Sequence, residues 1–188
     1  QVGKSSTIRH LGKEFKYFVE INFERQKDIK TLFGYNLNVK NICAQLSAIY
    51  NTPIIPGETL LFFDEIQESQ RAISSLRYFY EDYPELHVIA AGSLLEFTLK
   101  ELLSFGVGRI RSMYMYPFSF DEFLEAQGLE LQVSFKKNDA DCEHPLPVPL
   151  HEDMVSQLRS YYLVGGMPEA VRIWVQTCNY KECGIVHN

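Results

Sequence analysis

Hydrophobic and polar positions alternate along this chain in a way that predicts strands and helices in turn. Leu60-Leu61-Phe62-Phe63, entered through Thr59, runs apolar without a break into Asp64-Glu65-Ile66-Gln67. That is the pattern of a strand buried on both faces, as in a parallel sheet, whose C-terminal end delivers two acids. Upstream, Tyr17-Phe18-Val19-Glu20-Ile21-Asn22 predicts another strand, followed by helical stretches around Asp28–Phe33 and Val39–Ile49. Downstream, Ala72, Ile73, Leu76, Phe79, Tyr80 and Tyr83 recur at helical spacing within Glu68–Tyr83, an amphipathic helix suited to cover a sheet. His87–Ala91 predicts a short buried strand ending in Gly92-Ser93, and Leu94–Leu103 a further helix for which Ser93 is the expected N-cap.

Farther on, Arg109–Pro117 alternates as a strand would, with Arg109, Arg111, Met113 and Met115 on one side and Ile110, Ser112, Tyr114 and Tyr116 on the other. Phe118–Gln127 predicts a short helix. From 128 to 151 the pattern breaks: Lys136–Glu143 is polar, and Pro145, Pro147 and Pro149 oppose regular helix. We expect a linker or surface loop there, with helices over Glu152–Leu163 and Glu169–Gln176 separated by a turn at Gly165-Gly166-Met167-Pro168. Strands alternating with helices predict an α/β fold, three layers with a mainly parallel sheet, followed by a small helical segment. The expected organisation is a core over 1–127, a linker over 128–151 and the helical start of a C-terminal region over 152–188.

Composition changes this picture little. The chain has 188 residues, 46% hydrophobic and 22% charged, in the ordinary range for a globular protein with one sizeable core. Its net charge of −6 offers nucleic acid no whole-surface attraction, although a local basic patch remains open. Lys136-Lys137 is the one basic doublet, expected in a solvated loop. No apolar run approaches the roughly 18 residues of a membrane span, so no membrane partner is expected. Cys43, Cys142, Cys178 and Cys183 lack metal-site spacing and are expected as free thiols of a reducing compartment.

The chemistry lies in two short segments. Gly3-Lys4-Ser5 has the form of the closing half of a phosphate-binding loop, Gly-x-x-x-x-Gly-Lys-[Ser/Thr]. Gly3 admits phosphate close to the backbone, Lys4 offers an ammonium to the β- and γ-phosphates, and the Ser5 hydroxyl is a ligand for Mg²⁺. With Ser6, these are the expected nucleotide contacts, placed where the following helix points its first N–H groups at an anion. Asp64 is the second expected Mg²⁺ ligand and Glu65 the expected general base, since one carboxylate cannot serve both tasks. Ser93, besides capping a helix, is a candidate γ-phosphate sensor. Arg109 is a candidate for offsetting charge as phosphoryl transfer proceeds, from this chain or a neighbouring one. About 60 residues and a predicted strand separate Lys4 from Asp64, so the acid-bearing strand is not expected to be the sequence neighbour of the strand that leads into the loop.

Taken in order, QVGKSS, LLFFDEIQ, VIAAGSLLEF, GRIRSMYMYPFSFDEFL and YYLVGGMPEAV resemble the AAA-type ATPases of bacteria and archaea whose ATPase core precedes a C-terminal domain of unknown function. The resemblance covers most of 1–125 and resumes at about 161–171. In that family the loop opens Gly-Pro-Arg-Gln-Val-Gly-Lys, which leads us to expect three further loop residues and a strand upstream of Gln1. The resemblance implies a cytoplasmic ATPase of about twice this length that uses ATP and Mg²⁺ and acts on an unknown protein partner through its C-terminal region. Oligomeric state stays open. Two functions stand from the sequence: ATP hydrolysis coupled to a conformational change, and a nucleotide-binding switch or scaffold with little or no hydrolysis.

Overall fold

A computed structural model describes residues 2–34, 37–92, 109–141 and 143–185. The chain divides into two compact units, Lys4–Met113 and Tyr114–Asn188, the second also taking in the residues before Lys4.

The first unit is built on a parallel three-stranded sheet, β1 (Tyr17–Asn22), β2 (Thr59–Asp64) and β3 (His87–Ala90), in that spatial order. Its register pairs Asn22 with Asp64 and Phe63 with Ala90. Helix α1 (Lys4–Leu11) precedes β1, α2 (Val39–Tyr50) leads toward β2, and α3 (Gln70–Asp82) returns the chain from β2 to β3. The continuous apolar run of β2 is explained at once, because every residue from Thr59 to Asp64 is buried. Phe63 is the hub of one face, edge-on to Phe23, Phe33 and Phe79 at centroid distances of 5.6, 5.7 and 5.6 Å. Such edge-to-face packing adds to simple area burial. Ile21, Leu46, Leu61 and Ile73 complete that face, while Phe62 packs against Phe18 on the other. Asn38 caps α2 by accepting from the Asn41 N–H, and Ser69 caps α3 by accepting from the Ala72 N–H. In the chain β1 lies between Lys4 and β2, and both long edges of β2 are occupied, by β1 and β3.

Several expectations are corrected here. Helix α3 starts at Gln70 and leaves Tyr80 52% exposed, so its apolar stripe is narrower than the spacing implied. Strand β3 is half-buried rather than buried, with His87 exposed. Arg109–Pro117 forms no strand: Met113, Tyr114 and Tyr116 are exposed on what would be both faces, and no described strand offers it a ladder. Extended backbone without cross-strand hydrogen bonds gains nothing to offset its lost entropy. The expected helix over 94–103, with its cap Ser93, lies outside the described residues, as does Cys142.

The second unit is helical: α4 (Phe120–Glu125), α5 (Glu130–Asn138), α6 (Val148–Val164), α7 (Pro168–Thr177) and α8 (Tyr180–Ile185). Ser119 and Glu122 form a reciprocal capping box at the start of α4. The stretch expected to be a linker contains α5, whose Val133 is buried with Leu124 and Met154. Lys136 and Lys137 sit in its last turn and pair with Asp121, so the basic doublet is engaged with α4 rather than loose in a loop. Pro149 does not block helix, because it occupies the first turn of α6, where its missing N–H would have had no partner.

Between α6 and α7, Gly165 has φ +75° and Gly166 lies against the backbone of Phe118. The Phe118 N–H donates to the Gly166 carbonyl at 2.7 Å, and the Tyr161 hydroxyl donates to the Phe118 carbonyl at 2.7 Å. Beneath them Phe123, Val164, Val171 and Trp174 form the core of this unit.

Candidate functional site

The C-terminal ends of β1 and β2 and the first turn of α1 meet at one place. The Ser5 hydroxyl donates to Oδ1 of Asp64 at 2.9 Å, joining two segments 59 residues apart. The Nδ2 group of Asn22 donates to Oδ2 of Asp64 at 3.1 Å. Asn22 is held for this task, since its Oδ1 accepts from the Arg25 N–H at 2.9 Å and so turns the amide nitrogen toward Asp64. Asp64 is only 5% exposed, and a carboxylate so buried needs hydrogen-bond donors such as these on its oxygens.

Arg9, one turn beyond Ser5 on α1, brings a cation to the same carboxylate, with Nη2 at 3.9 Å from Oδ2 of Asp64. It is bound far more closely by Glu20. Arg9 Nε donates to Oε2 at 2.9 Å and to Oε1 at 3.1 Å, and Nη2 donates to Oε1 at 2.7 Å. The hydrogen bonds to Glu20 push the Arg9 pKa further up, so its charge is permanent.

Glu65 follows Asp64 with φ +51°, a left-handed conformation uncommon for a residue with a Cβ. The ladder on either side keeps it there, because Ala91 donates to Phe63 O at 2.8 Å and Ile66 donates to Ala91 O at 3.1 Å. The Gln67 amide Nε2 donates to Oε2 of Glu65 at 2.6 Å. Its Oε1 is buried and has no hydrogen-bond partner among the described residues.

Of the expected nucleotide contacts, Gly3 turns the chain with φ +88° into α1, which opens at Lys4. Among the described residues the Lys4 ammonium pairs with no carboxylate, and the Ser6 side chain is exposed. Ser5 and Asp64 are brought together and Glu65 lies next to them, while Ser93 lies outside the described residues. Arg109 is not brought to this place. Its Nε lies 2.9 Å from Oε1 of Glu81, in the last turn of α3. Because α3 starts beside the acids and runs back for 13 residues, that turn lies about 18 Å away along the helix axis.

The residues that composition and motif did not single out are Arg9, Glu20, Asn22 and Gln67. A signal for two of them was present: Glu20 and Asn22 alternate on one face at the end of β1, in register with the acid-bearing end of β2.

The set suits a magnesium–phosphate ligand better than a metal held by protein alone. Among the described residues there is no group of three or more His, Cys, Asp or Glu able to enclose an ion. A hydroxyl and one carboxylate in contact, with Lys4 next to Ser5 in the chain and paired with no carboxylate among the described residues, fit a hard cation that takes its remaining ligands from water and phosphate. In the second unit, an open apolar cleft of about 340 Å³ between α4 and α7 has Arg172 as its one charged lining residue, and that side chain is paired with Glu169. Among the described residues no helix is long and apolar enough to cross a membrane.

A family model described as an AAA domain matches residues 1–124. No curated protein and no solved structure matches the chain.

Proposed function

The chain belongs to the family of AAA domains, which bind nucleotide, and on that premise we propose that it binds ATP with Mg²⁺ and hydrolyses it. In this reading turnover drives a conformational change that is passed to a protein partner through the C-terminal region. The observation that carries it is the 2.9 Å contact between Ser5 and Asp64, because it unites the ends of two motifs that the chemistry needs together. Ser5 and Asp64 hold the metal, which when bound polarises the phosphate oxygens. Lys4 and the first N–H groups of α1 hold the β- and γ-phosphates, with Gly3 and Ser6 lining the approach. Glu65 takes the proton of the attacking water. Ser93 is assigned as the γ-phosphate sensor. Arg109, held by Glu81 at the far end of α3, is assigned its charge-offsetting role toward a neighbouring chain rather than its own site.

The AAA core in this proposal spans 1–127, followed by a connecting region over 128–151 and the helical beginning of the C-terminal region from 152. Free thiols at Cys43, Cys178 and Cys183 support a cytoplasmic location. The slow-hydrolysing switch has one specific support, the Gln67 amide that occupies an oxygen of Glu65 at 2.6 Å. Steady-state Mg-ATP turnover by the protein with a complete loop separates the two. Lys4→Ala is expected to abolish nucleotide binding, and Glu65→Gln to retain binding while turnover falls at least a hundredfold. Turnover unchanged in Glu65→Gln would remove the general-base assignment.

A further inference from the structure

Arg9 and Glu20 belong to neither motif, yet their geometry gives them a task at the metal position. A guanidinium 3.9 Å from Oδ2 of Asp64 faces the carboxylate that is to receive a dication. Alone, it would compete for that carboxylate and repel the incoming ion. Glu20 contacts it through both carboxylate oxygens, at 2.7 to 3.1 Å, and cancels most of its charge at that distance. Ser5 and Asn22 donate to the same Asp64 but are neutral, so they orient it without opposing a cation. The four groups around Asp64 come from α1 and β1, and the parallel register sets Asn22 directly beside Asp64 at the end of β2.

We propose that Arg9 and Glu20 are a charge-balancing pair that sets the divalent-cation affinity of the Ser5–Asp64 site. This rests on the reading of Asp64 as a metal ligand. Both are positioning residues, acting on the ion through Asp64. Removing Glu20 exposes the ion to an uncompensated cation, and removing Arg9 leaves Glu20 as an additional negative charge. The two substitutions therefore act in opposite directions, which loss of a merely structural contact would not do.

The test is Mn²⁺ affinity, read from the electron paramagnetic resonance signal of the free ion. It uses the protein with a complete loop, saturated with a non-hydrolysable ATP analogue. Glu20→Gln is expected to weaken Mn²⁺ about fivefold and Arg9→Gln to tighten it about twofold, with the double variant within about twofold of wild type. Raising the salt to about 0.5 M should shrink both shifts. Far-ultraviolet circular dichroism confirms that each variant is folded. If Arg9→Gln weakens Mn²⁺ as Glu20→Gln does, or the double variant is no better than the worse single one, the charge-balance proposal is overturned. A wild-type protein that takes up no Mn²⁺ with the analogue would overturn the metal site itself.

Discussion

Substituting Gly166 with alanine tests whether the glycine pair between α6 and α7 is a packing joint or a place for a ligand. A Cβ built on Gly166 would lie 2.2 Å from the Phe118 carbonyl oxygen and 2.9 Å from the Phe118 nitrogen. Both are backbone atoms, so no side-chain rotation relieves the overlap, and the two segments must separate by about 1 Å to restore van der Waals contact. That movement breaks the Phe118-to-Gly166 hydrogen bond and strains the one from Tyr161. Each contributes about 1 kcal/mol, and imperfect repacking over Phe123 and Val164 adds a similar amount. We therefore expect a loss of about 3 kcal/mol.

The chain has one tryptophan, Trp174, in the core of this same unit. Its fluorescence reports this unit's thermal transition directly, and for a body of this size the midpoint should fall by 10 °C or more. Gly184→Ala is the control, since a Cβ there meets nothing within 4 Å. It should leave the midpoint unchanged or raise it slightly. A Gly166→Ala midpoint within 2 °C of wild type would refute the packing argument.

Gln67→Ala should leave Mg-ATP affinity within about twofold and raise turnover roughly threefold to tenfold, because the amide occupies a Glu65 oxygen that is otherwise free to accept the proton of water. Turnover below wild type would show instead that the amide orients the base. In a Cys142→Ser background, a disulfide reagent at pH 8 should modify Cys178 within seconds, and Cys43 and Cys183 only on unfolding, as followed by absorbance of the released thiolate. Burial pushes the Cys43 thiol up to about 11 from its ordinary 9.0. The native state thus favours the neutral thiol, and Cys43's contribution to stability is intact below about pH 9 and lost as pH rises toward 11. Equal denaturation midpoints at pH 8 and pH 10.5 for wild type relative to Cys43→Ala would contradict that linkage.

The chain's pattern determined which segments could be strands and which chemistry they could carry. Thr59–Asp64 needs burial on both faces because it is apolar throughout, and a strand that ends in two acids announces its site. Gly3-Lys4-Ser5 before a helical stretch, read together with Asp64-Glu65, is what points to the phosphate ligand proposed above. Those signals are local, because period and residue identity are properties of consecutive positions. Pairing is not local, and there the pattern misled or was silent. Arg109–Pro117 alternates as well as β1 does but has no described strand to pair with, so alternation alone produced no strand. Val133 and Lys136 in the expected linker became helical because α4 and α6 offered partners for Val133, and Asp121 a partner for Lys136. Asn22 and Glu20 read as the polar half of an ordinary strand until register set Asn22 against Asp64 and α1 brought Arg9 to Glu20. Tertiary structure alone decided the shell around Asp64, because hydrogen bonds and charge act across space between residues that sequence distance keeps apart.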